Sequence, residues 1–385
     1  MSKKKYLDRT IINFLKVERT EGQFIIRLLK NHFVNDSIID QRYHVSHEDR
    51  FILFPLVDNQ EAIDRLKESL DRAVKYAIIS REGSFRENYK YKSLEEALTG
   101  KIPNSYFNLI PKSYDITGNI AILEFDKNFG IRNSEFRKYK QLISNAVMSV
   151  NKNVKSVFEK KSKIKGDHRL REFCHLSGEN KSITMHKENN CVFKLDIKKT
   201  YFSPRLVYER RRISNFKFQE NEIIVDMFAG VGPFSIQIAK LNPVEIHAFD
   251  INPEAYKYLK INIKLNKLKG KIIPYNIDVR SLPDPSNTIG KRLYGTVDRI
   301  IMNLPQKSID FIDLTCFLMK KSGGILHFYQ FSEKPNPIEN IIEVLNNKLN
   351  CINWNITKVE SSKIVKSYSP KAELVAIDLN IKSII

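Results

Sequence analysis

Isoleucine and valine crowd positions 223–225, and the small-residue turn Ala229-Gly-Val-Gly232 follows almost at once. A short apolar run closed by glycines predicts a buried strand passing into a helix, with Asp226 at the strand end. Further strands are predicted over 245–250, ending on Asp250, over 271–275, with Asp278 just beyond, and over 298–303, closing on Asn303-Leu-Pro305. The spacing over 254–268 predicts a helix. Strands alternating with helical segments predict a parallel sheet, which binds ligands beyond its carboxyl ends. Asp250, Asp278 and Asn303 are therefore expected along one sheet edge.

Upstream, the pattern predicts a helix over 20–33 and a strand over 51–56. The polar stretch 81–104 reads as a connector with room for a helical turn at 94–98. A strand is expected over 116–125, with a Gly-Asn turn at its start. A helix is expected over 136–150, and a hairpin over 184–196 turning at 188–190. Pro204 suits an early helical position, with Ser203 as its N-cap. Residues 363–371 are expected in the last hairpin of the sheet. The divisions expected are a small N-terminal domain (1–80), a linker (81–104), a middle α+β domain (105–195) and a sheet domain (196–385).

Composition adds a partner class. The 385 residues carry 64 Lys plus Arg against 44 Asp plus Glu, a formal charge of +20. Such an excess points to a polyanion. Lysines concentrate at 152, 155, 160, 161, 163 and 165, and Arg169 and Arg171 follow, which reads as a phosphate-binding surface. The four cysteines, at 174, 191, 316 and 351, show no metal-ligand spacing and suggest a reducing compartment. No stretch reaches the roughly 18 apolar residues of a membrane span. The lysines at 3–5 are not followed by the apolar core of a secretory signal.

The glycine turn is not G-x-G-x-x-G, which disfavours a nicotinamide cofactor. Two acids on successive strands, followed by Asn-x-Pro, are instead the order expected of S-adenosylmethionine methyltransferases. More specific segments are Gly166-Asp-His-Arg-Leu-Arg-Glu172, Leu176-Ser-Gly-Glu179, Met185-His-Lys-Glu-Asn189, Tyr201-Phe-Ser-Pro-Arg-Leu206, Asp226-Met-Phe-Ala-Gly-Val-Gly-Pro-Phe234, Asp250-Ile-Asn-Pro253, Asn262-Ile-Lys-Leu-Asn266, Met302-Asn-Leu-Pro305 and Ile364-Val-Lys-Ser-Tyr-Ser-Pro370. In this order they resemble the archaeal and eukaryotic tRNA (guanine(37)-N1)-methyltransferase family over roughly residues 105–380. His168 departs from the apolar or aromatic residue usual there, and Ser308 from alanine.

The resemblance implies an α/β fold. A class I (Rossmann-like) methyltransferase sheet would lie at the C-terminus, preceded by an α+β middle domain and a small N-terminal α/β domain that reads the outer corner of tRNA. It implies S-adenosyl-L-methionine as cofactor, no metal, no membrane, tRNA with G37 as partner, and a monomer. The compartment implied is cytoplasmic, with nucleus and mitochondrion as further options. N1 of guanine is protonated at neutral pH, so a general base must remove the proton while charge develops on O6. Glu209 is implied as that base and Arg169 as the O6 partner, with Asn303 holding the base or the cofactor. A plainer role for Glu209 is an ion pair with Arg205 or Arg212 at helical spacing.

Asp250 is expected at the ribose hydroxyls and Asp278 at the adenine amino group. Asp226, Phe228, Gly230, Ile251, Val279 and Pro305 are expected around them, with Arg210 at the methionine carboxylate. Tyr201, Arg205, Lys161, Lys163 and Lys165 are expected to bind the RNA. Competing readings are the aminocarboxypropyl transferase of wybutosine synthesis and a non-catalytic tRNA-binding protein.

Overall fold

The structure is a computed structural model and describes residues 10–32, 38–70, 73–125 and 136–385. The basic positions 3–5 and Phe33, the expected end of the first helix, lie outside the described residues. The chain divides into two compact units, Met1–Tyr91 and Lys92–Ile385.

The first unit is a four-stranded antiparallel sheet ordered Ser46–Glu48, Phe51–Pro55, Ile11–Glu18, Tyr76–Glu82. Helices Gly22–His32 and Gln60–Leu70 cover it. Ile25, Ala62, Ile63, Leu66 and Leu70 meet Leu15, Val17 and Phe54 in one core.

In the second unit, a mixed sheet runs Asp115–Thr117, Ile120–Leu123, Ser156–Lys160, Phe173–Gly178. The strand expected over 116–125 is thus two strands folded at Gly118-Asn119. The stretch 81–104 carries structure of its own. It begins in the Tyr76–Glu82 strand, and its helix Leu94–Leu98 buries Leu94, Ala97 and Leu98 in the second unit. The hairpin Ile183–Glu188/Cys191–Asp196 turns through Asn189 and Asn190, both left-handed, at φ 45° and 61°. Asparagine tolerates that conformation, and paired positive φ values suit a tight hairpin turn.

The large sheet has seven strands ordered Lys271–Tyr275, Glu245–Phe249, Ile223–Asp226, Arg299–Met302, Gly324–Glu333, Ala372–Ser383, Trp354–Ser369. The first five are parallel, and Ala372–Ser383 runs antiparallel to both its neighbours. Residues of one strand alternate between two cores. Ile224 packs with Phe234, Leu259 and Tyr329, while Val225 packs with Phe249, Ile300 and Phe328. Both faces are covered, which is why these strands read as continuous apolar runs. The strand order reverses beside Ile223–Asp226, and open α/β sheets bind ligands at such a point.

Candidate active site

Gly230 and Gly232 both adopt left-handed backbone, φ 56° and 89°, where a side chain strains the turn. A Cβ on Gly230 would meet only the Tyr201 carbonyl oxygen, 3.8 Å away, so this side of the loop is open. It opens on a cavity of about 300 Å³. The Asp250 carboxylate accepts from the Gly230 amide at 2.7 Å and from the Asn252 amide at 2.8 Å. These bonds fix the acid at the cavity while leaving its second lone pairs for hydroxyl donors. Burial still raises the Asp250 pKa above the usual carboxylate range.

Ten expected residues line this cavity together: Arg169, Tyr201, Arg210, Phe228, Gly230, Asp250, Ile251, Asp278, Val279 and Asn303. Phe228 meets Phe311 edge-on at 4.9 Å, and the Arg280 guanidinium lies over Phe311 at 4.0 Å, giving an aromatic corner backed by a cation. Asp278 caps its turn by accepting from the Arg280 amide at 2.9 Å.

Two groups at the cavity have buried polar atoms with no partner among the described residues. They are Nε and NH1 of Arg169 and Oδ1 of Asn303. A buried guanidinium or amide left unpaired costs roughly 1–3 kcal/mol or more. Arg169 is also left-handed, at φ 54°, with its guanidinium over the Tyr201 ring. A non-glycine residue held there is strained, and such strain concentrates at functional sites. The Asn303 turn is tied internally: Ser308 Oγ donates to the Met302 carbonyl and accepts from the Leu304 amide.

A basic groove adjoins the cavity and shares Arg169, Tyr201, Phe202, Ser203 and Gln306 with it. Lys160, Lys163, Arg171, Arg205 and Lys366 line the groove. Burial, with Arg205 next in weight, holds the Lys366 amine below its usual pKa.

Several expectations are corrected. Ser203 is the N-cap as expected, but of a short 3-10 turn, Pro204–Leu206, that precedes the helix Val207–Ser214, and its side chain makes no capping bond. The Ser203 carbonyl instead accepts from Arg210. Arg210 is engaged by Glu188, with NH2 to Oε2 at 2.6 Å, because a guanidinium 1% exposed needs a buried counter-ion. Asp226 does not line the cavity. It lies beneath the loop, accepts from Ser235 Oγ at 2.6 Å, and is pushed up to about 7 by burial.

Pro305 is buried behind Leu304 and Gln306, which do line the cavity. Arg205 is paired with Asp115 at 2.6 Å and belongs to the groove. Lys161 pairs with Glu159 and Lys165 with Glu172, and neither lines the cavity or the groove.

Glu209 is buried, 3% exposed, and does not line the cavity. Its carboxylate receives Arg212 at 3.0 and 3.1 Å, the Tyr329 hydroxyl at 3.2 Å, and Lys363. Pairing with Arg212 was foreseen from the helical spacing. Pairing with Lys363 and Tyr329 was not, since both come from distant strands. Also missed were Arg280, Phe311 and Lys307. For Asn252 a signal existed: Asn before Pro253 marks the helix cap that it forms.

Residues 184–357 match a family model described as the TRM5/TYW2 methyltransferase domain, and residues 94–181 match a TYW2 N-terminal domain. A tRNA (guanine(37)-N(1))-methyltransferase Trm5b of Pyrococcus abyssi is 34% identical over 370 residues, 95% of this chain and 98% of the relative. The chain belongs to the tRNA (guanine(37)-N1)-methyltransferase family. A solved complex of the family member aTrm5 with tRNALeu superposes with a TM-score of 0.67 at 34% identity, covering 95% of this chain and 99% of that one. A tRNA 4-demethylwyosine(37)-methyltransferase Taw21 of Saccharolobus solfataricus is 33% identical over 273 residues, 70% of this chain and 93% of that protein. This methyltransferase family therefore includes enzymes named for different steps at the same nucleotide. Among the described residues, no helix is long and apolar enough to cross a membrane.

Proposed function

We propose that this enzyme methylates N1 of guanosine 37 in tRNA with S-adenosyl-L-methionine. The observation that carries the proposal is the pairing of two unsatisfied groups at one cavity, the Arg169 guanidinium and the Asn303 amide. When bound, the cofactor supplies an electrophilic methyl carbon on a sulfonium. Asp250 would hold its ribose hydroxyls, Phe228 and Ile251 its adenine faces, and Asp278 the exocyclic amine. Asp226 supports the glycine loop from below. Because Glu188 satisfies Arg210, that arginine shapes the wall and is not free for a ligand carboxylate.

The target base, swung out of the anticodon loop at a cost of a few kcal/mol, enters beside Arg169 and Tyr201. Arg169 stabilises the charge that develops on O6, with a fixed fork that lysine lacks. Asn303 offers donor and acceptor to the base or the cofactor. Glu209 takes the N1 proton. It is buried one layer behind the wall, since its partner Tyr329 packs on cavity-lining Phe234. Lys363, 40% exposed, must release Glu209 for this, and RNA phosphates compete for its ammonium. Lys163, Arg171 and Lys366 track the RNA backbone along the groove, and the N-terminal unit contacts the outer corner of the tRNA.

The match of residues 94–181 to a TYW2 N-terminal domain favours one second reading, transfer of the aminocarboxypropyl group. Incubation with unmodified tRNA carrying G37 and labelled cofactor, followed by nucleoside mass analysis, separates the two. A methyl increment on guanosine is expected; an aminocarboxypropyl increment, or none, overturns the proposal. Glu209→Gln should bind cofactor normally and turn over at least a hundredfold more slowly, within the range of general-base effects.

A further inference from the structure

A line of buried polar groups runs behind the cavity from the large sheet to Glu209. Glu222 Oε1 accepts from Arg299 Nε at 2.5 Å, and Arg299 NH1 lies 2.9 Å from His327 Nε2. His327 Nδ1 lies 2.7 Å from Asp378 Oδ1. Asp378 then receives Arg212, whose Nε and NH2 also donate to Glu209 Oε2. His327 and Asp378 are 0% and 1% exposed and stand directly opposite each other on adjacent antiparallel strands.

Chemistry fixes the protons along this line. Arginine is a permanent donor with no acceptor, so His327 must present the lone pair of Nε2 to Arg299. Its proton then sits on Nδ1 and goes to Asp378. A doubly protonated ring would set N–H against N–H. Burial lowers the His327 pKa, in keeping with a neutral ring. Asp378 is held below the usual carboxylate range: burial pushes it up, but bonds from His327 and Arg212 outweigh burial. Three carboxylates (Glu222, Asp378, Glu209) face three cations (Arg299, Arg212, Lys363) across a neutral imidazole. The line therefore carries no net charge, which is how so many ionised groups tolerate burial.

Arg212 is shared between two carboxylates. Asp378 draws part of its charge and fixes the plane of its fork. Glu209 thus meets a guanidinium that orients it without fully claiming it. We infer that Asp378, Arg212 and His327 are positioning residues that aim Glu209 for proton transfer. The inference rests on Glu209 being the base. The helix that carries Glu209 is short, Val207–Ser214, so the sheet supplies rigidity that eight residues alone lack.

Asp378→Asn would leave Arg212 with Glu209 as its one carboxylate, letting the fork turn away from the plane Asp378 sets, and would offer the His327 ring an amide in place of an anion. Single-turnover methyl transfer to unmodified tRNA should be followed across pH for the parent, Asp378→Asn, Glu209→Gln and the double variant, with calorimetry of S-adenosylmethionine binding for each. The expected result is a tenfold or larger loss in methyl transfer for Asp378→Asn with unchanged cofactor affinity, and no further loss when Glu209→Gln is already present.

An equal loss in both backgrounds, or the parent rate and pH profile for Asp378→Asn, overturns the inference. Parent turnover by Glu209→Gln removes the base assignment itself, a separate outcome. If Asp378→Asn fails to bind cofactor, Arg212→Lys serves in the same cycle. It keeps the charge but cannot bridge both acids, and additivity with Glu209→Gln would again be decisive against the inference.

Discussion

Arg169 stacks on Tyr201, its guanidinium carbon 4.8 Å from the ring centroid, where the nucleoside cavity and the basic groove meet. The stack aims a permanent cation without using its hydrogen-bond donors, and Nε and NH1 stay available for a ligand.

Arg169→Lys should therefore not rescue activity. The ammonium keeps the charge but loses the planar fork and the stacking face. The expected outcome is a fall of roughly 10²–10³ in methyl transfer for both Arg169→Lys and Arg169→Ala, by analogy with removal of one oxyanion donor. Cofactor affinity should change little. A lysine variant with near-parent turnover in single-turnover assays would show that charge alone suffices.

Asp250 is fixed by two backbone amides, from Gly230 and Asn252, before any ligand arrives. Asp250→Ala removes the acceptor of both amides and the partner proposed for the ribose hydroxyls. Loss of a charged hydrogen-bonding group costs about 1.5–3 kcal/mol, or roughly ten- to a hundredfold in affinity. Calorimetric titration with S-adenosylmethionine and with adenosine should show the same loss for both, because the sugar is common to them.

Asp226 makes a pH prediction with a definite sign. In the folded chain burial pushes it up to about 7, while an unfolded carboxyl titrates near about 3.9. The folded state thus holds this proton more tightly, and the associated stability is present at acid pH and is lost as pH rises through about 7. Asp226→Asn removes the titration. The difference in melting temperature between variant and parent should move in favour of the variant between about pH 4 and pH 7.5. A constant difference over that window would mean that Asp226 is ionised throughout.

The sheet domain was legible because its strands are covered on both faces and its helices carry local stop signals. Ile223–Asp226, Glu245–Phe249 and Lys271–Tyr275 fall where the apolar runs predicted, and so do the acids at their ends. The role of Arg210 was not legible. Its counter-ion, Glu188, sits on a hairpin strand that reaches the helix only through tertiary packing. The same holds for Glu209, whose partners Tyr329 and Lys363 come from two distant strands. Sequence spacing finds neighbours on one helix face, as it found Arg212, and says nothing of residues that the fold brings from afar. Ser203 stands at the cap position before Pro204 as the spacing predicts, but the turn it caps is a 3-10 turn and its side chain makes no capping bond.

The basic groove allows a prediction in which two cations of the same wall behave differently. Arg205 is bound to Asp115 at 2.6 Å, so its charge is already matched in the free protein. Lys163 lines the same groove and is exposed. A cation that neutralises a phosphate releases a counterion, and each such contact adds about 0.7–0.9 to the slope of log affinity against log salt. Lys163→Ala should reduce that slope by close to one such contact. Arg205→Ala should reduce it by clearly less, because Arg205 is already matched by Asp115, which Lys160 also holds at 3.2 Å. Filter binding of unmodified tRNA over a salt series measures both the slope and the intercept. Equal slopes for parent and Lys163→Ala would place the RNA backbone elsewhere on the protein.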